Sequence, residues 1–536
     1  MELKFFMYEL VSIFLSLSLG FFSLTNSNPT SDHFLDCISH RISSNFSNII
    51  ITPNDASYST VLQSTIQNLR FDTPETLKPS AIIKPLSYSH VQSTVICSAK
   101  SGLQIRIRSG GHDYEGLSFT SFDHSTPFIL LDLNELRSVT VDVDDKTAWV
   151  ESGATLGELS YWVSQKSNLL GFPNGECTSV GVGGHLSGGG YGVMARKYGL
   201  SADNVIDAQI VNVNGQILDR DSMGEDLFWA IKGGGGASFG VILAWKINLV
   251  SVPPKVTVFS LSKTLDQAAT QVVNKWQYVG HNLSEDFFIN LIVTPVSVLD
   301  QEENKTMLVT FNGLFLGTTV ELMTEVNDRF SELGLHETDC IEMSWIESVV
   351  YYSVYLRGQS IEALKERIPW PKSYYKYKSD YVKKPIPEET LEEIWKRCLE
   401  ENLILAIEPH GGRMSKIDES ETPYPHREGN LYIIQYIMRW NEEGLDAAEK
   451  KVASVRMVYE KMTPFVSKNP REAYVNFRDL DLGTNGNACG TSYLQAARWG
   501  ITYFKGNFRR LAMVKGVVDP TNFFCYEQSI PPLFFV

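Results

Sequence analysis

Two side chains able to form bonds to carbon stand in glycine-rich surroundings. His112 lies in "RSGGHDYEG", and Cys177 lies in "GECTSVGVGGHLSGGGYG", which has eight glycines in eighteen positions. A third loop of this kind, "KGGGGASFGVI", runs from Lys232 to Ile242. Glycine adopts positive φ without strain and lets a ligand approach the main chain closely. Successive N–H groups in such turns form concavities that bind anions, pyrophosphate included. None of the three loops fits the Rossmann fingerprint or a P-loop, because the Gly-x-Gly-x-x-Gly register before a helix is missing and no Gly-Lys-Ser/Thr follows. Three such loops, each flanked by apolar segments, suggest a long dinucleotide lying across one lobe. His112 taken alone reads more readily as a surface turn residue.

Rigid elements are needed to hold these loops. Before His112, "GLQIRIR" alternates like a strand; after it, "PFILLDLNELRSVTVDV" supplies an apolar strand and enters a hairpin. "SVTVDVDDKTAWVES" should turn on Asp144-Asp145, and "DAQIVNVNGQILDR" on Asn214-Gly215, the strongest short hairpin signal. Helices are expected at "TLGELSYWVSQ" and "EDLFWAIKG". The texture changes after Pro253-Pro254. Long strands ("TMLVTFNGLFLG", "LYIIQYIMRW") then alternate with amphipathic helices ("VELMTEVNDRFSELG", "ETLEEIWKRCLEEN"), as in an α+β lobe on an antiparallel sheet. Glycine and aromatic texture returns from Ala473. No repeat of solenoid period is present.

A chain of 536 residues exceeds one ordinary core, so two or three lobes are expected. Hydrophobic content of 43% and charged content of 20% describe a globular protein. A net charge of -15 without a basic run argues against nucleic-acid binding and favours a small-molecule partner. Residues 1–28 carry one early lysine, an apolar run near Val11 to Leu24 and then small polar residues, the pattern of a secretory signal peptide. The run is broken by serines and is too short to span a membrane. Seven cysteines in an exported chain leave at least one without a disulfide partner, and the absence of C-x-x-C spacings argues against a zinc site. Asn45, Asn282 and Asn304 head glycosylation sequons.

Five stretches in order carry a resemblance: "RSGGHDYEGLS", "CTSVGVGGHLSGGGYG", "DLFWAIKGGGGASFGVI", "YVNFRDLDLG" and "DPTNFFCYEQSIPPL". Together they resemble the plant berberine bridge enzyme-like family of secreted FAD-linked oxidases, which have the vanillyl-alcohol oxidase (PCMH-type) fold. The likeness runs from Cys37 to Pro532. It implies an α+β architecture in which residues 29–254 and 473–536 form the FAD lobe, with an antiparallel-sheet substrate lobe, 255–472, inserted between. It implies FAD bonded covalently to His112 and Cys177, with Ser109, Gly110, Gly111, Val180, Gly183, Gly184, Gly188 and Gly189 around it. Two tethers would pin the ring and withdraw electron density, favouring oxidation of the substrate. The family's N-terminal disulfide falls on Cys37 and Cys97, which leaves Cys177 outside the disulfides. His185 reads as structural, and Val180 falls where the family gates dioxygen.

The usual bases of the family are not where they are expected. Gln435, Ile433 and Phe477 occupy the positions at which relatives carry ionisable groups. Tyr114, Tyr191, His410, Gln435 and Arg439 remain as candidates near the pocket; Gln435 and Arg439 share a strand face by period-two alternation. Arg439 can bind a substrate oxygen or pair with a surface carboxylate, and His410 can be catalytic or structural. A tertiary amine substrate suits this set, because its lone pair expels the hydride towards flavin N5 and leaves an iminium without an enzymic base. Dioxygen would then be reduced to hydrogen peroxide. The alternatives are oxidation of a monolignol or oligosaccharide, or FAD-scaffolded Diels–Alder cyclisation without net redox. A monomer is expected, in a vacuole, an endoplasmic-reticulum-derived vesicle or the cell wall.

Overall fold

Several helices start where the sequence places a hydroxyl three residues before an acid or amide. Thr155 caps Leu156–Lys166 in a reciprocal box with Glu158, Thr318 caps Thr319–Arg329 with Glu321, and Ser492 caps Tyr493–Phe504 with Gln495. Helix Glu388–Glu401 buries Leu391, Ile394, Trp395 and Cys398, a stripe at helical spacing, and stops at Asn402 in the left-handed region. The helix expected over "EDLFWAIKG" begins earlier, at Arg220. Asp219 and Ser222 cap each other there, and Gly224 (φ 75°) breaks the helix between that first turn and the apolar part.

The computed structural model describes residues 29–42, 49–298, 301–353, 355–367, 371–486 and 488–534. The expected signal segment 1–28 and Asn45 lie outside the described residues. Asn304 lies in strand Gln301–Phe315 with its side chain outside them, whereas Asn282 is exposed. Among the described residues no helix is long and apolar enough to cross a membrane.

Two sheets bear the glycine loops. A four-stranded sheet runs Ile50–Ile51, Ile82–Ile83, Phe128–Asp132, Gln104–Arg108, and its last two strands pair in parallel. A five-stranded antiparallel sheet runs Val139–Asp142, Thr147–Glu151, Val241–Asn248, Val205–Val211, Ile217–Leu218, and contains both expected hairpins. Strand Val241–Asn248 ends this sheet's part of the chain. Beyond Pro253-Pro254, strand Val256–Thr264 enters a wholly antiparallel seven-stranded sheet. Its order is Ile341–Met343, Val256–Thr264, Gln301–Phe315, Phe287–Val298, Ile404–Pro409, Tyr432–Trp440, Tyr374–Val382. Mixed α/β architecture with an inserted antiparallel sheet is thus the fold.

Charged residues tie the large sheet and the C-terminal segment to the loop-bearing part. Lys376 on the large sheet, itself buried, is ion-paired to Glu115 beside the His112 loop and to Asp479 of the C-terminal segment, at 2.6 Å for the latter. Arg106 pairs with Glu527 at 3.0 Å, and Arg478 with Asp113 at 3.3 Å. Breaking one partner of such a buried pair strands the other charge, at a cost of about 3–5 kcal/mol. Disulfides join Cys37 to Cys97 and Cys489 to Cys525. The second bridge goes beyond the sequence expectation, and Cys340 and Cys398 join Cys177 outside the disulfides.

Candidate active site

A cavity of about 630 Å³ opens between the glycine loops and the large sheet. Its wall takes Ser109 to Tyr114 from the first loop, Cys177, Val180 and Gly181 to Gly188 in part from the second, and Gly235 and Gly236 from the third. Strand Tyr432–Trp440 contributes Gln435, Ile437 and Arg439, the alternate positions of one face.

The first loop owes its path to Gly111, at φ 73°: a Cβ there would sit 2.5 Å from Thr65 Oγ1. Gly110 and Gly181 back onto each other so closely that a Cβ on Gly110 would lie 2.3 Å from the Gly181 nitrogen. This contact brings the His112 and Cys177 loops together. Ser179 Oγ lies 3.1 Å from His112 Nε2 and 3.6 Å from Cys177 Sγ. Burial lowers the His112 imidazole to about 4, partly opposed by hydrogen bonding to the Ser179 backbone. The ring is therefore neutral and keeps a lone pair for bonding.

Buried polar atoms on this wall have no hydrogen-bond partner among the described residues: Ser118 Oγ, Ser152 Oγ and Arg106 Nε. A Cβ on Gly184 would meet nothing within 4 Å, so the main chain there is open to the cavity. Unsatisfied donors and bare glycine backbone suit a long, polar, anionic group such as FAD. Of the expected glycine contacts, Gly189 is not part of the wall. At φ 114° it turns the chain against Tyr424 and Leu200 instead. His185 accepts the Gly175 N–H at 3.1 Å, a structural role within its own loop. Val180 is half-buried in the wall and its carbonyl accepts the Leu156 N–H.

Opposite stand aromatic rings. Tyr114 meets Tyr377 edge-on at 4.6 Å and stacks over Phe477 at 6.0 Å, while Tyr375 stacks on Tyr377 at 4.7 Å. Gln435 Nε2 donates to Tyr114 Oη at 2.9 Å, and Arg439 Nε donates to Tyr377 Oη. Burial raises the Tyr114 phenol well above its ordinary range, so it stays protonated. Tyr191 lines the cavity and donates to the Pro409 carbonyl.

His410 is placed elsewhere. It is fully buried, stacks behind Tyr191 at 5.3 Å, lies 3.1 Å from Tyr424 Oη through Nε2, and is not in the cavity wall. Burial, with the charges of His426 and Arg427, lowers it to about 3. It is a packing residue here.

Two wall residues escaped the sequence reading: Glu176, next to Cys177, and Glu408, on strand Ile404–Pro409 directly across from Ile433. Period-two alternation from Ile404 through Ala406, both in the wall, would have pointed to Glu408. Burial raises both carboxyls, and the charge of Glu176 raises Glu408 further.

Known proteins share this arrangement. The "FAD binding domain" family matches residues 79–220, and the "Berberine and berberine like" family matches 473–531. Tetrahydroberberine oxidase of Berberis wilsoniae is 52% identical over 515 residues, 95% of this chain and 96% of that protein. O-acetylstemmadenine oxidase of Catharanthus roseus is 49% identical over 535 residues, 98% of this chain and 99% of the relative. The solved structure of a berberine bridge enzyme-like protein of Arabidopsis thaliana superposes with a TM-score of 0.87 at 45% identity, over 94% of this chain and 100% of the other. A cavity built from three glycine loops, closed by an antiparallel sheet and matched along nearly the whole chain, makes this protein a member of the berberine bridge enzyme-like family of FAD-linked oxidoreductases.

Proposed function

We propose that the chain oxidises an alkaloid-type amine, with FAD attached through His112 and Cys177 and dioxygen as the final acceptor. The carrying observation is that one cavity holds both candidate tether residues and an aromatic wall whose strand residue at 435 is an amide, Gln435, not an acid. The naming of the relatives as tetrahydroberberine and O-acetylstemmadenine oxidases supports the same reading. When bound, FAD supplies the two-electron chemistry, accepting a hydride from the carbon beside nitrogen and handing the electrons to dioxygen as hydrogen peroxide.

The remaining work belongs to side chains. Ser179 fixes the facing tether atoms, and the edge-on pair Tyr114–Tyr377 offers π-faces to a flat substrate. Gln435 holds the Tyr114 hydroxyl, so the ring cannot swing into the substrate's space. An amine's own lone pair replaces the base that an alcohol would require. The Cys37–Cys97 bridge, stable in an oxidising compartment, supports passage through the secretory pathway.

Peroxide release from a panel of tertiary amines, monolignols and oligosaccharides tests the reading. Turnover of amines supports it; turnover confined to sugars or monolignols overturns it.

A further inference from the structure

Buried carboxylates in this protein are systematically neutralised. Each fully buried Asp or Glu side chain among the described residues is in an ion pair, as Glu115 is with Lys376, Glu527 with Arg106 and Asp380 with Arg471. Glu176 and Glu408, less deeply buried than these, face the cavity instead. Half-buried in the cavity wall, close enough for the charge of one to act on the other, they have no ion pair among the described residues. Two like charges held together in a low-dielectric wall are costly unless one takes up a proton or a cation joins them.

The pair is also built rather than incidental. Asn312 Nδ2 donates to Asn290 Oδ1 at 3.2 Å, and Asn290 Nδ2 donates to Glu176 Oε1 at 3.2 Å, so a relay of amides sets the carboxylate. Both asparagines line the cavity. Beside Glu176 stands Tyr352, also in the wall and only 8% exposed, whose hydroxyl has no hydrogen-bond partner among the described residues. An orphaned hydroxyl in the same wall is an independent sign that a ligand completes the site. Among the described residues no cluster of three metal-ligating side chains exists, so two carboxylates and aromatic rings suit an organic cation better than a metal ion.

We propose that Glu176, Glu408 and Tyr352 form the seat of a cationic nitrogen, facing the neutral amine of the substrate and holding the positive charge that develops on it as the hydride leaves and the iminium forms. This rests on the amine reading above and names the group it would recognise. A carboxylate already in place where positive charge develops stabilises the product-like state more than the neutral amine.

The test uses flavin-loaded protein and two probes of one shape, a quaternary tetrahydroisoquinolinium and its uncharged carbocyclic isostere, with binding read by calorimetry. The unmodified protein should bind the cation about tenfold or more tighter than the isostere. Glu408→Gln should cut that preference several-fold and Glu176→Gln/Glu408→Gln should abolish it, with affinity for the isostere held. Flavin content and absorbance identify any variant that fails to fold, and the single variant then decides. Equal affinity for both probes in the unmodified protein, or an unchanged preference in a folded variant, overturns the seat. Amine turnover, followed in parallel, separates the two readings. Oxidation without charge preference leaves the proposed function standing and removes the seat; charge preference without amine turnover does the reverse.

Discussion

Ser179 Oγ lies 3.1 Å from His112 Nε2 and 3.6 Å from Cys177 Sγ, so one hydroxyl spans two side chains that are far apart in the chain. The contact follows from the Gly110–Gly181 approach, which no residue with a Cβ would allow.

The first prediction follows from that geometry. Acid-precipitated protein should stay yellow, as should each of His112→Ala and Cys177→Ala, because one tether suffices. The double variant should release its flavin into the supernatant. A colourless pellet from the unmodified protein would remove both residues from the role.

Val180 stands in the cavity wall three residues after Cys177. Leucine adds one methylene in a packed site and should narrow the approach of dioxygen. In Val180→Leu, stopped-flow reoxidation should slow by about tenfold or more, equivalent to about 1.4 kcal/mol, while anaerobic reduction by substrate changes little. Unaltered reoxidation would make Val180 a packing residue only.

Glu472 gives a pH dependence of stability. Burial pushes its carboxyl up, but hydrogen bonding and charge from His426 and Lys383 outweigh this and hold it at about 2. A depressed folded-state pKa means the stabilisation is fully present above the unfolded value of about 4.3 and is lost as pH falls towards the folded value. Glu472→Gln should therefore lower Tm at neutral pH, and the gap to the unmodified protein should close as pH falls through that window. A gap that stays constant down to the acid end would rule out the ion pair as its cause.

What was legible in the sequence depended on whether local signals were enough. His112 and Cys177 stood out because glycine-rich loops are readable residue by residue, and the hairpin at Asn214-Gly215 follows from turn chemistry alone. Glu408 was hidden because which face of strand Ile404–Pro409 meets the cavity is set by its pairing with Tyr432–Trp440, a matter of tertiary packing; alternation along the strand points to Glu408 only once that face is known. His410, which the sequence left open between a catalytic and a structural role, could not be placed for a related reason. The strand ends at Pro409 and the chain turns at Gly411 (φ 90°), which takes the ring out of the alternation and behind Tyr191. Cysteine parity showed that one thiol must be left over, but not that Cys489 and Cys525 meet, since that pairing depends on how the C-terminal segment folds back.

Anaerobic mixing of the flavin-loaded protein with a tertiary amine tests the central claim most directly. The account predicts that the yellow absorbance bleaches in a single turnover, with one equivalent of iminium formed, and that admitting dioxygen restores the colour with one equivalent of hydrogen peroxide. Conversion of the substrate while the flavin stays oxidised would contradict it, and would assign the cavity to cyclisation without net redox.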